Sequence, residues 1–414
     1  MPRSVRVPSV CCWRLGKLAL QSAAMQPITS FIGPLEMKIK PSAGSRPAGR
    51  VVHCSKFGGP YPGSFVSMLI AAATAARSAG LETTVCLSRD RAAGQPWIAD
   101  LSSCAEVRLF EPQGLQAKLL AVHEVLAESP IRTALHTHFG DYDEAAAIAG
   151  LLRRGTRVLW HLHSARNRPL KARSKAYGAA FGRCVDAVLC VSPEIRDTAL
   201  AQWMPRAKVI DFPNAVDLSR FQPITDAERS VAREALELPV DAPVVLHFAW
   251  DWQIKGGDRL LAAAATLPGV TFLTVIGEDA DPPALPANVR PLRPRADVAQ
   301  LFAAADVFLN ASRTEGMPFA VLEALARGLP VVAVDLPVSR AILEALPGAR
   351  VVAPSVDALS GAISELAGLD RSAREQHAHA ARARLEDSYS LNSWSSRLVG
   401  LYQRLLGAPA AGDR

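Results

Sequence analysis

The sequence predicts an α/β protein built from parallel sheets with helices packed on their faces. Short Val-, Leu- and Ile-rich runs alternate with Ala-rich stretches of helical composition along most of the chain. Hydrophobic residues make up 49% and charged residues 21%, the balance of a globular chain with ample core. The length of 414 residues suffices for two domains. The net charge of +7 is compatible with nucleic acid, an anionic membrane surface or a phosphate-bearing substrate, but no nucleic-acid motif accompanies it. Cys11, Cys12, Cys54, Cys86, Cys104, Cys184 and Cys190 are scattered, odd in number and without metal-ligand spacing. They favour a reducing, cytoplasmic compartment. No apolar run approaches the roughly 18 residues of a membrane span.

Residues 1–49 have no hydrophobic period. They are expected to be a disordered extension, or to precede a true start at Met25 or Met37; an Arg-rich leader is the alternative. Regular structure is expected from Arg50. Val51 to Ser55 reads as a strand, Phe57 to Ser64 as a Gly-rich loop and Phe65 to Ala76 as a helix, a βα unit of dinucleotide-binding type without its GxGxxG. Gly58 and Gly59 lack a Cβ, which fits either close approach to a ligand or a plain tight turn. Thr83 to Leu87 and Val107 to Phe110 read as strands and Gln113 to Leu126 as a helix.

Ile131 to Thr137 is the next strand, with His136 and His138 at its end, and Asp141 is expected to cap the following helix. Arg157 to His161 is a strand running into WHLHSAR, with His161 at its end and His163 just beyond. In open α/β sheets ligands sit at the C-terminal strand ends. A zinc site on H-x-H pairs is the alternative to packing, but no third ligand of matching spacing is visible, so no metal is expected. Arg166, Arg168, Lys171, Arg173 and Lys175 follow; they fit a solvated helix face, an anionic or lipid-linked acceptor, or peripheral contact with a membrane. Asp186 to Val191 and Lys208 to Asp211 are further strands.

In the second half, Ala242 to Phe248, Val270 to Ile276, Val289 to Leu292 and Ala305 to Asn310 read as strands, with Lys255 in the loop after the first. Arg313 to Asp335, RTEGMPFAVLEALARGLPVVAVD, then reads as loop, helix, turn and strand. Pro318 suits the first turn of a helix, and Phe319 to Arg327 is rich in helix formers. Gly328 and Pro330 terminate it, and Val331 to Val334 is a buried strand. Glu315 and Glu323 frame the helix start, where free N–H groups at Met317, Phe319 and Ala320 would favour a phosphate. An anion between two hydroxyl-accepting carboxylates matches a sugar nucleotide. Helices over Val338 to Ala345, Val356 to Leu366, Ser372 to Leu385 and Ser390 to Leu406 close the chain.

The combination E-G-x-P-F-x-x-x-E-A-x-A-x-G-x-P-V-V resembles the donor site of retaining GT-B glycosyltransferases of family 4. Looser likenesses are Val191-Ser192-Pro193 and Pro213-Asn214-Ala215-Val216-Asp217, where Ala215 replaces a glycine. The resemblance implies two Rossmann-like domains facing across a cleft, at 50–222 and 223–387, with residues 388–414 crossing back onto the first. It implies transfer of a sugar from a nucleotide-sugar donor to an acceptor hydroxyl, with retention, no cofactor and no metal. Lys255 would hold the diphosphate, with Gly316, Met317, Pro318 and Phe319 at the helix start. Glu315 would accept from the sugar and Glu323 from the ribose, with Gly58 and Gly59 facing them. His138 would lie at the reacting carbon, and His163 and Arg166 on the acceptor side. The arginine that many relatives carry a few residues before this lysine is absent; Ala249 and Trp250 stand there. A sugar-nucleotide-binding protein without catalysis, or a sugar-nucleotide 2-epimerase of the same shape, is the alternative.

Overall fold

A computed structural model describes residues 47–164, 172–239, 242–277 and 282–407, all within one compact unit, Ile39–Arg414. Two parallel sheets form its frame. The first joins β1 (Gly49–Cys54), β2 (Leu81–Ser88), β3 (Glu106–Phe110), β4 (Thr133–His138), β5 (Thr156–Leu162), β6 (Ala187–Cys190) and β7 (Val209–Asp211) in the order β3-β2-β1-β4-β5-β6-β7. The second joins β8 (Val244–Ala249), β9 (Thr271–Ile276), β10 (Val289–Leu292), β11 (Val307–Asn310), β12 (Val331–Val334) and β13 (Ala349–Val352) in the order β10-β9-β8-β11-β12-β13. Every residue of β1, β4, β11 and β12 is buried, as expected of central parallel strands covered on both faces.

Strand order reverses between β1 and β4 in the first sheet and between β8 and β11 in the second. A reversal sends successive crossovers to opposite faces and leaves a crevice at the C-terminal strand ends. The residues at those two crevices build the site.

The helix Phe319–Ala326 follows its sequence signals closely. Pro318 is its N-cap, and Gly328 sits past its end at φ +76, where a side chain is strained. The expectation for Asp141 is corrected: the helix opens at Asp143, after Tyr142. Phe139 and Gly140 both take positive φ, 61 and 86, so the chain turns sharply and the helix starts later than the polarity pattern suggests. Asp141 instead faces Lys118, whose Nζ donates to its carbonyl at 2.8 Å. The final helix, Leu391–Leu406, packs Trp394, Leu398 and Tyr402 against Val51, Ala72 and Ala76 of the first sheet's layer. A bridge between Val216 and Ser390 marks where the chain returns.

Candidate active site

At the second switch point, the loop after β8 and the loop after β11 meet. Gly256, at φ +73, turns the first loop so tightly that a Cβ there would lie 2.1 Å from the Ala311 carbonyl oxygen. His247 of β8 anchors it from below, its Nε2 donating to the Lys255 carbonyl at 2.9 Å. Burial holds that imidazole neutral, pushing it down to about 4. The loop thereby presents the Lys255 ammonium, which donates to Glu315 Oε1 at 2.7 Å and stands 5.7 Å from the Trp250 ring centre. The Ser312 hydroxyl lies 2.6 Å from the same carboxylate oxygen and 2.7 Å from Asn310 Oδ1. Arg313 is engaged elsewhere, in a two-pronged pair with Asp258 at 2.8 and 2.7 Å. Among the described residues, the N–H groups of Met317, Phe319 and Ala320 have no acceptor.

The first domain closes over this helix start. A Cβ on Gly316 would lie 1.8 Å from the His163 carbonyl oxygen, so only glycine lets the loop come so near β5. Asn214 donates from Nδ2 to the Met317 carbonyl at 3.0 Å. Phe319 packs among residues such as Phe65 and Leu69 of the Gly63–Ser78 helix. From that helix the Ser64 hydroxyl donates to Glu323, whose carboxyl is pushed up by burial and pulled back in part by this bond.

At the first switch point lie five histidines: His53 on β1, His136 and His138 on β4, and His161 and His163 at the end of β5. His138 is central. Its Nε2 lies 3.0 Å from His53 Nδ1 and its Nδ1 lies 3.1 Å from His163 Nε2. His136 Nδ1 lies 2.6 Å from the Tyr402 hydroxyl. Burial depresses all five, first by desolvation, taking His53 and His163 to about 3. Beside His163 a cavity of about 670 Å³ opens, lined in part by Phe139, Asp143, Glu144, Trp160 and Tyr177. Asp143 accepts from the Thr137 hydroxyl at 2.5 Å, yet burial pushes its carboxyl up to about 7.

Lys255 and Glu315 therefore meet, and Gly316, Met317, Pro318 and Phe319 form the adjoining helix start. Glu323 is not in contact with that pair but faces Ser64. Gly58 packs within its own domain: a Cβ would lie 2.1 Å from Arg91 Cβ. The Gly59 carbonyl accepts from Trp97 Nε1 at 3.1 Å. His163, rather than His138, abuts the donor-side loop, and His138 stands one imidazole behind it. Arg166 lies outside the described residues. Lys175 stands 5.7 Å from the centre of the Trp203 ring.

The expectation that no third ligand accompanies the paired histidines is corrected, because β1 pairs directly with β4 and brings His53 opposite His136. His53 and Ser64 were the residues missed. A histidine at the C-terminal end of the first strand was the signal for His53; nothing local marks Ser64, whose partner lies 259 residues away.

Two family descriptions match the chain: "Glycosyltransferase Family 4" over residues 67–220 and "Glycosyl transferases group 1" over residues 242–368. A D-inositol 3-phosphate glycosyltransferase of Mycobacterium tuberculosis is 33% identical over 210 residues, covering 46% of this chain and 43% of that protein. The chain thus matches less than half the length of such curated relatives. Among solved structures, a glycosyltransferase from Rickettsia africae superposes with TM-score 0.73 at 16% identity, over 86% of this chain and 98% of that one. Sucrose-phosphate synthase from Thermosynechococcus elongatus gives 0.71 at 20% identity, over 87% and 100%. Anabaena HepE, solved with UDP-glucose, gives 0.70 at 18% identity, over 86% and 100%. One description thus falls on each sheet, in the two-sheet architecture of these solved glycosyltransferases, and the chain carries a family 4 and a group 1 glycosyltransferase domain.

Proposed function

We propose that this protein transfers a sugar from a nucleoside-diphosphate donor to an acceptor hydroxyl, with retention at the anomeric carbon. The observation that carries the reading is the Lys255–Glu315 pair beside the N–H groups, unpaired among the described residues, at the start of the Phe319–Ala326 helix. A departing diphosphate takes the Lys255 ammonium and the helix start as its two sources of positive charge, which stabilise charge that develops only as the bond breaks. Lys255 then exchanges Glu315 for phosphate, and the freed carboxylate accepts from sugar hydroxyls. Glu323 accepts from the ribose after exchanging its bond to Ser64. These two sources stand in for a divalent ion at the diphosphate, so no metal or other cofactor is asked of the donor.

The acceptor enters beside His163, from the cavity on the first domain. Its lining offers carboxyl groups rather than cations, so an anionic part of the acceptor lies outside it, toward Lys175. Two relatives favour these chemistries: one named for D-inositol 3-phosphate, and one solved with UDP-glucose. The sequence offers no evident pair of carboxylates to flank a reacting carbon, which supports a front-face route, with the leaving phosphate taking the acceptor proton, over double displacement.

A panel of nucleotide sugars screened by thermal shift identifies the donor, because a ligand that binds the folded state raises its stability. Turnover with candidate acceptors follows, and the anomeric configuration of the product is read by NMR. Binding of a donor without transfer to any acceptor or to water supports the non-catalytic alternative. Solvent proton exchange into the sugar supports the epimerase. An inverted product overturns the retaining reading.

A further inference from the structure

We propose that the histidine cluster at the first switch point binds one divalent transition-metal ion of the zinc class, with His138 as the shared ligand. Two sets of side chains can hold it: His53, His136 and His138, or His138, His161 and His163. In each set one ligand nitrogen per ring lies within 4.8 Å of the others. Zinc–imidazole bonds of about 2.0–2.1 Å in tetrahedral geometry place two ligand nitrogens roughly 3.4 Å apart. The His53–His138 and His138–His163 approaches of 3.0 and 3.1 Å are already close to that spacing.

Hydrogen bonding among the rings accounts for only part of the cluster. Neutral imidazole carries one donor and one acceptor, so His53, His138 and His163 can form a chain. That chain leaves His53 Nε2 and His136 Nε2 without partners, while His161 also faces the Phe212 backbone and His163 the Asn214 side chain. His53, His136 and His161 are almost wholly shielded from solvent. A buried polar atom without a partner costs about 1–3 kcal/mol, and a cation coordinated by these lone pairs removes that cost for its ligands. The rings are held neutral by burial, the state in which imidazole ligates. The Tyr402 hydroxyl on His136 Nδ1 leaves Nε2 as the ligand atom, the arrangement by which outer groups orient metal-binding histidines. In the second set His163 is the most exposed of the five rings.

The ion would tie β4 either to β1 or to β5 behind the carbonyl that meets Gly316, and it is separate from the donor site. Its test is therefore independent of glycosyl transfer. The full chain, stripped with a chelator and dialysed, is titrated with Co²⁺ and then Zn²⁺. The expected result is one equivalent of Co²⁺ with the visible absorption of a four- or five-coordinate nitrogen site, displaced by Zn²⁺. X-ray absorption of the zinc form is expected to show at least three imidazoles. His53→Gln or His161→Gln identifies the ligand set, with a loss of affinity of about 10-fold or more in the variant that removes a ligand. Less than half an equivalent bound by the wild-type chain, or fewer than three imidazoles on the ion, overturns the proposal. So does undiminished binding in both variants and in His136→Gln.

Discussion

The two sheets reverse their strand order in the same way, yet the crevices at the two reversals are chemically opposite. The second gathers an ammonium, a carboxylate, a hydroxyl and the open end of a helix, with Lys255 and Glu315 in direct contact. The first gathers five imidazoles, buried and neutral, against a tyrosine. Topology alone therefore supplies the place and not the chemistry. Charge at the second crevice is kept available by backbone devices: a left-handed glycine at 256, and a histidine beneath the loop that grips the Lys255 carbonyl. At the first, polarity is carried by neutral rings, and Gly316 closes against the His163 carbonyl beside them.

The sharpest way to break this contrast is to remove the charge. Lys255→Ala should lower turnover by about 10²-fold or more, the scale of losing one group that stabilises developing charge. Its stability should fall as well, because the buried Glu315 carboxylate loses its cation and keeps the Ser312 hydroxyl. Steady-state kinetics with the donor found by screening checks it. A loss of stability without loss of turnover would make the pair a structural bridge. Gly316→Ala attacks the seam between the crevices instead. Its Cβ meets the His163 carbonyl, so the domains must part, at a cost of about 1–3 kcal/mol in stability with a parallel fall in transfer. Gly59→Ala is the control: the nearest atoms lie at 3.6 Å, and denaturant titration should find it nearly neutral.

Tyr402→Phe tests the first crevice. It leaves His136 Nδ1 buried without a partner and should destabilise the chain by roughly 1–3 kcal/mol in denaturant melts. At the second crevice the corresponding histidine is His247, and its signature is acid sensitivity. Its folded pKa lies near 4 against an ordinary 6.5, so between those values the unfolded chain binds the extra proton and stability falls as pH falls. By pH 5 the loss relative to neutral pH is on the order of 2 kcal/mol. The stability of His247→Gln, which lacks this proton, should fall less over the same range by that amount; parallel curves would remove His247 from the account.

Much of the second crevice could be read from the sequence because its determinants are local. Pro318, Gly328 and Pro330 bracket one helix, and Glu315 lies three residues before Pro318. Thr225 and Glu228 form a capping box within four residues, also a local signal. The first crevice was half legible. The paired histidines announced themselves, but His53 joins them only through the β1–β4 register, and the seam through Ser64 and His163 depends on how two domains meet. Asp141 misled for a related reason: its polarity fits a cap, but the left-handed turn at Phe139 and Gly140 postpones the helix.

Apart from the Gly59 control, the smallest expected effect belongs to Glu323, where the two domains compete with the donor for one carboxylate. Glu323→Gln keeps the shape and an oxygen that can still accept from Ser64, but it loses the charge that strengthens a bond from a ribose hydroxyl. Donor affinity should weaken by about five- to tenfold, with turnover at saturating donor nearly unchanged, since the ribose bond is present in both ground and transition states. Ser64→Ala should act in the opposite sense, freeing the carboxylate and leaving donor affinity equal or tighter. Calorimetric titration of both variants separates the outcomes. If Glu323→Gln binds donor as the parent does, the carboxylate serves the interdomain contact alone and the ribose must be held by other groups.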